Sequence, residues 1–397
     1  MEKTPGALRK HVVMLGHTNA GKSTLFNALT GQNRAIVSDT PGTTTDPVAA
    51  PMELIPYGPI VLTDTAGMGD DSILGMQRMA KTQAARRKAD AVLFVQDGAN
   101  AMPMDMLEYE AFRATKHDHL LIFTKCDVAQ KDALRGQFPE ALFFGNADQA
   151  DDLAAIRAAL AALLAKQTPE DASLFAGLVP QGGHVVLVTP IDSAAPKGRL
   201  ILPQMQTLRD GLDSGFTCTV CRETELAAAL ANCKRVDLVV TDSQAFAYVD
   251  KIVPKTVRLT SFSMLLARQK SDFAQLLSGV SAVDDLPDGA HILMLEGCTH
   301  NSTHEDIGRV KIPALLHKKT GKEFQFTYAS GYDFPADLSG FALAVQCGGC
   351  MLNKRELTSR LEAMAAIGLP ATNYGILLAH LSGVLARSCA AFEADYD

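Results

Sequence analysis

Short runs of apolar residues, each followed by glycine or polar residues, recur in the first part of this 397-residue chain. Four such runs stand at residues 11–15, 60–63, 91–95 and 120–123. Continuous hydrophobicity over four or five residues is typical of strands buried in a parallel sheet. Residues 24–29 have a helical composition, and the Ala- and Leu-rich residues 151–166 predict a longer helix. The pattern therefore predicts an α/β domain.

The second part of the chain repeats the pattern after a segment that contains Pro169, Pro180 and the pair Gly182-Gly183, which predicts a linker. Apolar runs predict further strands at residues 184–188, 236–240, 290–295 and 341–345. Helical patterns lie at residues 223–231, 244–251 and 352–367. We therefore expect an α/β fold throughout, divided into three domains at residues 1–170, 181–262 and 263–397.

The first predicted strand runs into Gly16-His17-Thr18-Asn19-Ala20-Gly21-Lys22-Ser23, which fits the phosphate-loop pattern G-x-x-x-x-G-K-[ST]. The glycines allow backbone N–H groups to surround phosphate oxygens, and the helix that follows adds partial positive charge. Lys22 is placed to reach the outer phosphates, and the Ser23 hydroxyl to bind Mg²⁺. The predicted nucleotide-binding residues here are Gly16, Asn19, Ala20, Gly21, Lys22, Ser23 and Thr24.

Two later segments supply candidates for the Mg²⁺ shell. A threonine of residues 41–47, for which we take Thr44, is placed to close over the γ-phosphate and complete the shell. Asp64 follows a predicted strand and can hold Mg²⁺ through water. Gly67, three residues later, can offer its backbone N–H to the γ-phosphate.

The next predicted strand ends in Thr124-Lys125-Cys126-Asp127. These elements, in this order, resemble the translation-factor-related GTPases, close to the tRNA-modification and ribosome-assembly branch. The resemblance implies that Asp127 pairs with the guanine edge and that Lys125 belongs to the same motif. Thr124 departs from the asparagine of the family pattern, so nucleotide affinity is expected to be weaker. A fifth motif is matched only by residues 145–147.

Two positions bear on the rate of hydrolysis. Met68 follows Gly67, where a Ras-type enzyme carries a glutamine that orients water, so intrinsic hydrolysis is expected to be slow. By resemblance, Asn19 matches the GTPases that use a K⁺ ion as a charge stabiliser. Lys22, Asn19 and Thr44 are therefore the predicted catalytic residues. The alternative is that Asn19 only forms hydrogen bonds within its loop.

Composition and net charge limit the classes of partner and the cellular compartment that we expect. The net charge of −7 argues against broad nucleic-acid binding, which usually shows a basic footprint. No apolar run is long enough to span a membrane, and the N-terminus lacks the apolar core of a signal peptide. We therefore expect a cytoplasmic protein whose eight cysteines are thiols or metal ligands.

The pair Cys218 and Cys221 has metal-ligand spacing but strand-like surroundings. The period of two along a strand sends these side chains to opposite faces, so we interpret both cysteines, and Cys233 nearby, as packing residues. His184 and Asp192 are isolated in the sequence and are interpreted as structural.

Cys298, Cys347 and Cys350 follow the ends of two predicted strands, where α/β sheets place their ligands. Two glycines between Cys347 and Cys350 allow both sulfurs to face one centre, and the following helix start is expected to lower the thiol pKa. Three thiolates fit an iron–sulfur cluster with one exchangeable iron position. Zinc held with His300 or His304, and three packing cysteines, remain alternatives.

The pairing of GTPase and cysteine motifs resembles the [FeFe]-hydrogenase maturation GTPases, the HydF family. Its C-terminal pattern, C-x-H followed by H-C-x-x-C, is matched by residues 298–300 and 347–350, while Gln346 replaces the histidine. The resemblance covers essentially the whole chain. It implies a dimerisation domain in the middle and a C-terminal domain that binds a [4Fe-4S] cluster. With Gln346 at the histidine position, His300 becomes the default fourth ligand.

By the same resemblance, the chain is a homodimeric scaffold that uses GTP, Mg²⁺ and K⁺. It would receive a diiron precursor from radical-SAM maturation enzymes and deliver it to apo-[FeFe]-hydrogenase. Two alternatives come from other classes. One is a GTPase of tRNA modification or ribosome assembly, which the acidic balance disfavours. The other is a GTPase that delivers zinc or nickel.

Overall fold

A computed structural model describes residues 9–31, 47–67, 81–100, 103–115, 117–145, 149–167, 173–191, 200–297 and 307–393. The chain divides into two compact units, Met1–Pro169 and Glu170–Asp397. Both units are α/β structures built on parallel sheets, which confirms the predicted fold class. Among the described residues, no helix has both the length and the hydrophobicity needed to cross a bilayer.

The N-terminal unit is a six-stranded sheet in the order β2-β3-β1-β4-β5-β6, with only β2 antiparallel to its neighbour. Its strands are β1 (Lys10–Leu15), β2 (Val48–Leu54), β3 (Gly58–Asp64), β4 (Ala91–Asp97), β5 (His119–Thr124) and β6 (Leu142–Phe144). Its helices are α1 (Lys22–Thr30), α2 (residues 81–87), α3 (Pro103–Arg113), α4 (Val128–Gln137) and α5 (Gln149–Lys166).

Helices cover both faces of this sheet, and the side chains of β1 pack into a separate core on each face. Val12 and Met14 belong to a core with residues of α1 and α5. Val13 and Leu15 belong to a second core, with residues of α2 and α3. Because alternate side chains of a strand point to opposite faces, a strand covered on both faces needs a continuous apolar run. The carboxyl end of β1 then delivers the phosphate loop to the edge of the sheet.

The C-terminal unit contains two further four-stranded parallel sheets, in the orders β10-β9-β7-β8 and β12-β11-β13-β14. The strands of the first are β7 (His184–Val188), β8 (Thr217–Cys221), β9 (Leu238–Thr241) and β10 (Arg258–Ser261). Those of the second are β11 (His291–Glu296), β12 (Gln325–Ser330), β13 (Leu343–Gln346) and β14 (Ala371–Asn373).

The helices of this unit connect and cover the two sheets. They are α6 (Leu202–Asp213), α7 (Leu226–Asn232), α8 (Phe246–Ile252), α9 (Phe262–Lys270), α10 (Phe273–Val280), α11 (Ala282–Asp285), α12 (Ile312–Thr320), α13 (Lys354–Ala366), α14 (Tyr374–Leu381) and α15 (Leu385–Ala390). One hydrophobic core includes Val186 and Val239 of the first sheet together with Ile292 and Val345 of the second. The two sheets are therefore parts of one packed body.

The predicted linker differs from what the structure shows. Leu174, Phe175 and Leu178 are buried in a core with residues of β7 and α9, so this part of the segment packs against the C-terminal unit. Proline and glycine mark turns well, but they do not show whether the apolar residues between them are buried. The three domain boundaries at residues 170, 181 and 263 stay predictions.

Candidate functional site

The phosphate loop joins the end of β1 to the start of α1, and two of its glycines hold conformations that a side chain would disturb. Gly16 has a φ of 143°, and a Cβ atom there would lie 2.0 Å from the carbonyl oxygen of Val95. Gly21 has a φ of 81°, in the left-handed region, and its Cβ would lie 3.1 Å from Oγ1 of Thr124. The loop therefore has its shape because glycine stands at both positions.

Lys22 is held inside this loop. Its Nζ donates hydrogen bonds to the carbonyl oxygens of Gly16, at 2.9 Å, and His17, at 2.6 Å. Burial lowers the pKa of Lys22 from 10.5 to about 8, although the carboxylate of Asp64 partly opposes the shift. The positive charge of the ammonium group is therefore only partly compensated. The phosphates of a bound nucleotide would complete the compensation.

Ser23 and Asp64 form the centre of the candidate Mg²⁺ site. The Ser23 hydroxyl donates a hydrogen bond of 2.6 Å to Oδ2 of Asp64, whose residue is fully buried. Burial raises the pKa of Asp64, while Ser23 and Lys22 act in the opposite direction. Oδ1 of Asp64 has no hydrogen-bond partner among the described atoms. An unpaired buried carboxylate oxygen beside a hydroxyl fits a hard cation, so these residues fit Mg²⁺.

The remaining predicted residues of this site fall into two groups. A Cβ on Gly67 would lie 2.4 Å from the backbone N of Thr18, so only glycine allows this close approach to the phosphate loop. Thr44 and Met68, with Asn146 and Ala147 of the predicted fifth motif, lie outside the described residues. Their predicted roles therefore stay predictions.

The structure places Thr124 behind the phosphate loop. Its hydroxyl lies 2.8 Å from the carbonyl oxygen of Ala20 and 3.1 Å from that of Gln96, and the residue is 2% exposed. The hydroxyl therefore joins the phosphate loop to the end of β4. This supporting contact joins residues about a hundred positions apart, and sequence reasoning missed it.

Lys125 and Asn19 form a second connection between the same loops. Both residues have left-handed backbones, with φ of 58° and 63° respectively. Nζ of Lys125 donates to the carbonyl oxygen of Asn19 at 2.6 Å and to Oδ2 of Asp97 at 2.9 Å. Asn19 is exposed, and its side chain makes no hydrogen bond within the part of the chain that the structure describes. The alternative in which this amide is bonded within its own loop is therefore not observed.

Asp127 caps helix α4. Its Oδ1 accepts a hydrogen bond of 2.8 Å from the N–H of Gln130, and its own N–H donates to Oε1 of Gln130 at 2.9 Å. This capping box fixes the orientation of the carboxylate at the mouth of the nucleotide loops. Among the described residues, the second carboxylate oxygen of Asp127 has no hydrogen-bond partner, and the residue is exposed.

The second candidate site lies at the carboxyl ends of β11 and β13, which are neighbours in their sheet. Sγ of Cys347, just after β13, accepts hydrogen bonds from the N–H of Gly297, at 2.9 Å, and of Gly349, at 3.4 Å. A Cβ on Gly297 would lie 3.0 Å from this sulfur. The structure therefore places Cys347 at the predicted strand ends, with two backbone donors directed at its sulfur.

Cys350 lies one turn further along. Gly349 has a φ of 64°, and a Cβ there would lie 2.7 Å from Cδ1 of Leu357, so the turn needs glycine. Burial raises the pKa of both thiols, and for Cys350 burial and the neighbouring Cys347 together raise the pKa to about 11. The expectation of a lowered thiol pKa was wrong, because burial outweighs the helix end: α13 begins only at Lys354.

These two thiols fit a metal that prefers sulfur. N–H groups that donate to a sulfur stabilise its thiolate form, which is the form that binds iron or zinc. Cys298, His300 and His304 lie outside the described residues, within which no set of three His, Cys, Asp or Glu side chains is arranged as a metal site. Gln346 is 2% exposed, and its Oε1 has no hydrogen-bond partner among the described atoms.

The cysteines of the first C-terminal sheet are separate from this site. Cys218 faces α6, where a Cβ on Gly211 would lie 2.8 Å from its sulfur, whereas Cys221 packs against the core shared by the two sheets. Their opposite orientations agree with packing roles. His184 is not isolated, since its Nε2 lies 2.8 Å from Oγ1 of Thr219 and 3.8 Å from Sγ of Cys233. Asp192 lies outside the described residues.

Three family models match the chain in succession. Residues 11–125 match a 50S ribosome-binding GTPase model, residues 174–271 the hydrogen maturase F dimerization domain, and residues 274–391 the hydrogen maturase F tetramerization domain. Together the last two span most of the C-terminal unit. The boundary between them lies just after α9.

Curated relatives of this chain include two GTPases, each of which is matched over part of its length. GTPase Der of Geotalea uraniireducens is 28% identical over 259 residues, which are 62% of this chain and 57% of that protein. The tRNA modification GTPase MnmE of Methylorubrum populi is 43% identical over 110 residues, 27% of this chain and 24% of that protein. The chain thus spans less than two thirds of the length of these curated relatives.

Among solved structures, Aquifex aeolicus Era bound to GDP.AlF4- is similar at a TM-score of 0.33 and 18% identity, covering 53% of this chain and 93% of that one. The structure of S. thermophilus NFeoB bound to GDP.AlF4- and K⁺ has a TM-score of 0.31 and 18% identity, covering 43% and 75%.

Proposed function

We propose the following function for this chain. The chain belongs to the hydrogen maturase F family, because both C-terminal domain models of that family match it. It is a hydrogenase maturation GTPase. Within that role, we propose that it carries a [4Fe-4S] cluster as a scaffold and delivers a diiron precursor to apo-[FeFe]-hydrogenase. The observation that carries this proposal is the Cys347 sulfur, which accepts two backbone N–H bonds at the ends of adjacent strands.

The nucleotide site supports hydrolysis of GTP with Mg²⁺. Lys22 neutralises the outer phosphates when it exchanges its two loop carbonyls for phosphate oxygens. Ser23 and Asp64 would hold Mg²⁺, which supplies charge stabilisation at the transferring phosphoryl group, and Thr44 would complete the shell. The carboxylate of Asp127, already oriented by its capping box, accepts the guanine N–H groups, and Lys125 braces the loop beside it.

Potassium is the proposed charge stabiliser of this reaction. The side chain of Asn19 is exposed and makes no hydrogen bond with a described residue, while its backbone is held by Lys125. An exposed amide oxygen on a loop whose backbone is held fits a monovalent cation, which takes oxygen ligands as other hard cations do. We therefore propose that Asn19 binds K⁺ and that hydrolysis is faster in K⁺ than in Na⁺.

The cluster site is proposed to consist of Cys298, Cys347 and Cys350, with His300 as fourth ligand. A cluster held by three cysteines leaves one iron with a replaceable ligand, at which a cargo can dock and leave. The backbone N–H groups of Gly297 and Gly349 would fix the thiolate of Cys347. The diiron precursor is cargo in this scheme, and radical-SAM maturation enzymes are its proposed source.

The edge strand β8 is the proposed site of pairing with a second copy. It is at the end of its sheet, and it carries no proline and no charge over Thr217–Cys221. Val220 on this strand is 42% exposed. An uncharged, partly exposed edge is open to strand addition, which fits the match to a dimerization domain. We propose a cytoplasmic homo-oligomer in which GTP turnover controls the exchange of partners.

Iron and sulfide analysis after anaerobic reconstitution tests the cluster proposal. Variants Cys298→Ala, Cys347→Ala and Cys350→Ala are expected to lose the cluster and hydrogenase maturation. They are expected to keep GTP hydrolysis, because the cysteines and the phosphate loop belong to separate compact units. Cys218→Ala and Cys221→Ala are the matched controls and should retain the cluster. Zinc in place of iron, or loss of iron in the controls alone, would contradict the proposal.

His300→Ala is expected to change the spectroscopic signature of the cluster without removing iron. An unchanged spectrum would assign the fourth position to His304, another residue or solvent.

A further inference from the structure

The first turn of α9, a helix within the dimerization-domain match, lies against the cysteine loop, which belongs to the tetramerization-domain match. A Cβ on Gly348, between Cys347 and Cys350, would lie 3.1 Å from Oγ of Ser263 in that first turn. Cys350 also packs against the hydrophobic core that contains Phe262, the chain neighbour of Ser263. The Ser263 hydroxyl is therefore placed beside the turn that brings the two sulfurs together.

Two further contacts hold α9 in this position. The side-chain amide of Asn373, at the end of β14, donates to the carbonyl oxygen of Ser263 at 3.4 Å. At the other end of the helix, Nζ of Lys270 lies 3.5 Å from the carbonyl oxygen of Gly349. Both ends of α9 therefore contact the elements that present the cysteines, and the fold sets the distance from Ser263 to the cysteine turn.

A second glycine makes room for the Ser263 side chain. Gly375 lies in the first turn of α14, and a Cβ there would lie 2.9 Å from Oγ of Ser263. Glycine is unfavourable inside a helix, because its backbone loses more conformational freedom on folding than that of alanine. A side chain at Gly375 or at Gly348 would press on this hydroxyl, so the two glycines allow Ser263 to lie between them.

The Ser263 hydroxyl is unpaired in the empty protein. Its oxygen is buried and has no hydrogen-bond partner among the described atoms. A buried hydroxyl without a partner destabilises the folded state, because the hydrogen bonds that it makes to water in the unfolded chain are not replaced. By contrast, the fully buried Ser388 of the same compact unit donates to the carbonyl oxygen of Val384 at 2.9 Å. The unpaired hydroxyl of Ser263 therefore fits an acceptor that arrives with a ligand.

We propose that the hydroxyl of Ser263 donates a hydrogen bond to a sulfur of the bound cluster, beside Cys350. The inference rests on the proposed cluster function. Hydrogen bonds to the sulfur atoms of an iron–sulfur cluster are one of the factors that set its reduction potential. The cluster becomes more negative by one charge when it accepts an electron, so a hydrogen bond to its sulfur stabilises the reduced state more than the oxidised state. Ser263 thereby raises the reduction potential of the cluster.

Redox titration of the full chain, followed by electron paramagnetic resonance, tests this directly. The protein is reconstituted anaerobically with ferrous iron and sulfide and then reduced stepwise with dithionite. Ser263→Ala removes only the hydroxyl oxygen, and it is expected to shift the reduction equilibrium about tenfold towards the oxidised cluster. For a one-electron couple, a tenfold shift moves the potential by about 59 mV, here to a more negative value.

Urea unfolding of the empty protein gives a second measurement. Ser263→Ala is expected to unfold at the same urea concentration as the wild type or at a higher one, because it removes a buried group that has no partner. Ser388→Ala is the matched control. It loses the hydrogen bond to Val384, so it is expected to unfold at a lower urea concentration while leaving the reduction potential unchanged.

An unchanged potential in Ser263→Ala, or an equal shift in Ser388→Ala, would overturn the inference. It would also be overturned if empty Ser263→Ala lost as much stability as Ser388→Ala, since the hydroxyl would then be paired without the cluster. Loss of iron from Ser263→Ala, with the empty protein as stable as the wild type, would support the contact, because only the loaded site would need the hydroxyl. A wild-type protein that takes up no iron and sulfide would instead refute the proposed function.

Discussion

Replacing Lys22 by methionine is expected to stabilise the empty GTPase unit while abolishing GTP hydrolysis. Burial lowers the pKa of Lys22 from 10.5 to about 8. Since each pH unit is worth about 1.4 kcal/mol, keeping this side chain charged at pH 7 costs the folded state about 3 kcal/mol. Methionine has a similar length and removes that cost.

The lost hydrogen bonds offset part of this gain. Lys22 donates to the carbonyl oxygens of Gly16 and His17, and each bond contributes about 1 kcal/mol. The net gain at pH 7 is therefore about 1 kcal/mol without nucleotide. With GDP and Mg²⁺, the order reverses, because only the wild type gains the phosphate contacts.

The pH dependence of the stability difference between the variant and the wild type is the sharper test. Below pH 8 both the folded and the unfolded wild type hold the lysine proton, and the full penalty is present. Between about 8 and 10.5 the unfolded chain binds more protons, so the free energy of unfolding rises with pH. The variant lacks this rise, and its advantage over the wild type should fall by about 2 kcal/mol between pH 7 and pH 9.5.

Urea unfolding read by pulse proteolysis measures this, since fragments of the two compact units can be followed separately. Lys131→Met is the matched control. The Lys131 ammonium forms an ion pair of 3.0 Å with Asp152, so its removal should destabilise the same unit at pH 7. A Lys22→Met protein that is less stable than the wild type at pH 7 without nucleotide, or a difference that does not vary with pH, would refute the reasoning.

Three further predictions concern the base, the cation and the oligomer. Asp127→Asn should lower the preference for GTP over ATP in competition binding while leaving stability within about 1 kcal/mol, because asparagine also caps helices; unchanged selectivity would show that another group contacts the base. Hydrolysis should be faster in K⁺ than in Na⁺, and Asn19→Ala should remove that difference; equal rates in both salts for the wild type would exclude a K⁺ site. Val220→Lys should shift the protein towards smaller species in analytical ultracentrifugation, because a lysine on an edge strand opposes strand pairing; an unchanged mass would place the interface elsewhere.

The parts of the fold that a local pattern specifies could be predicted from the sequence. A buried strand, a glycine-rich loop and a helix start follow one another within twenty-one residues, and the structure has them at Lys10–Leu15 and Lys22–Thr30. The strand ends that carry Cys347 were predicted for the same reason. These features depend on side-chain period and on glycine, both of which are visible in a short window.

Contacts between distant residues could not be predicted in this way. Thr124 supports Ala20 across 104 positions, and Lys270 reaches Gly349 across 79. The thiol pKa was predicted in the wrong direction because the sequence shows a helix after Cys350 but not the burial of the sulfur. Burial is a property of the assembled unit, and it outweighs a helix end that lies several residues away.

The hydrophobic core that the two C-terminal sheets share has a consequence for how this protein can be divided. Val186 and Val239 pack in the same cluster as Ile292 and Val345, although the two pairs fall in separate family models. A gene cut between those models would leave apolar faces exposed on both fragments, and neither would be expected to remain soluble. The two family models mark separate stretches of sequence, whereas heat or denaturant would unfold the two stretches together. The GTPase unit can therefore be exchanged as a module in evolution. The two regions that share the C-terminal core must change together.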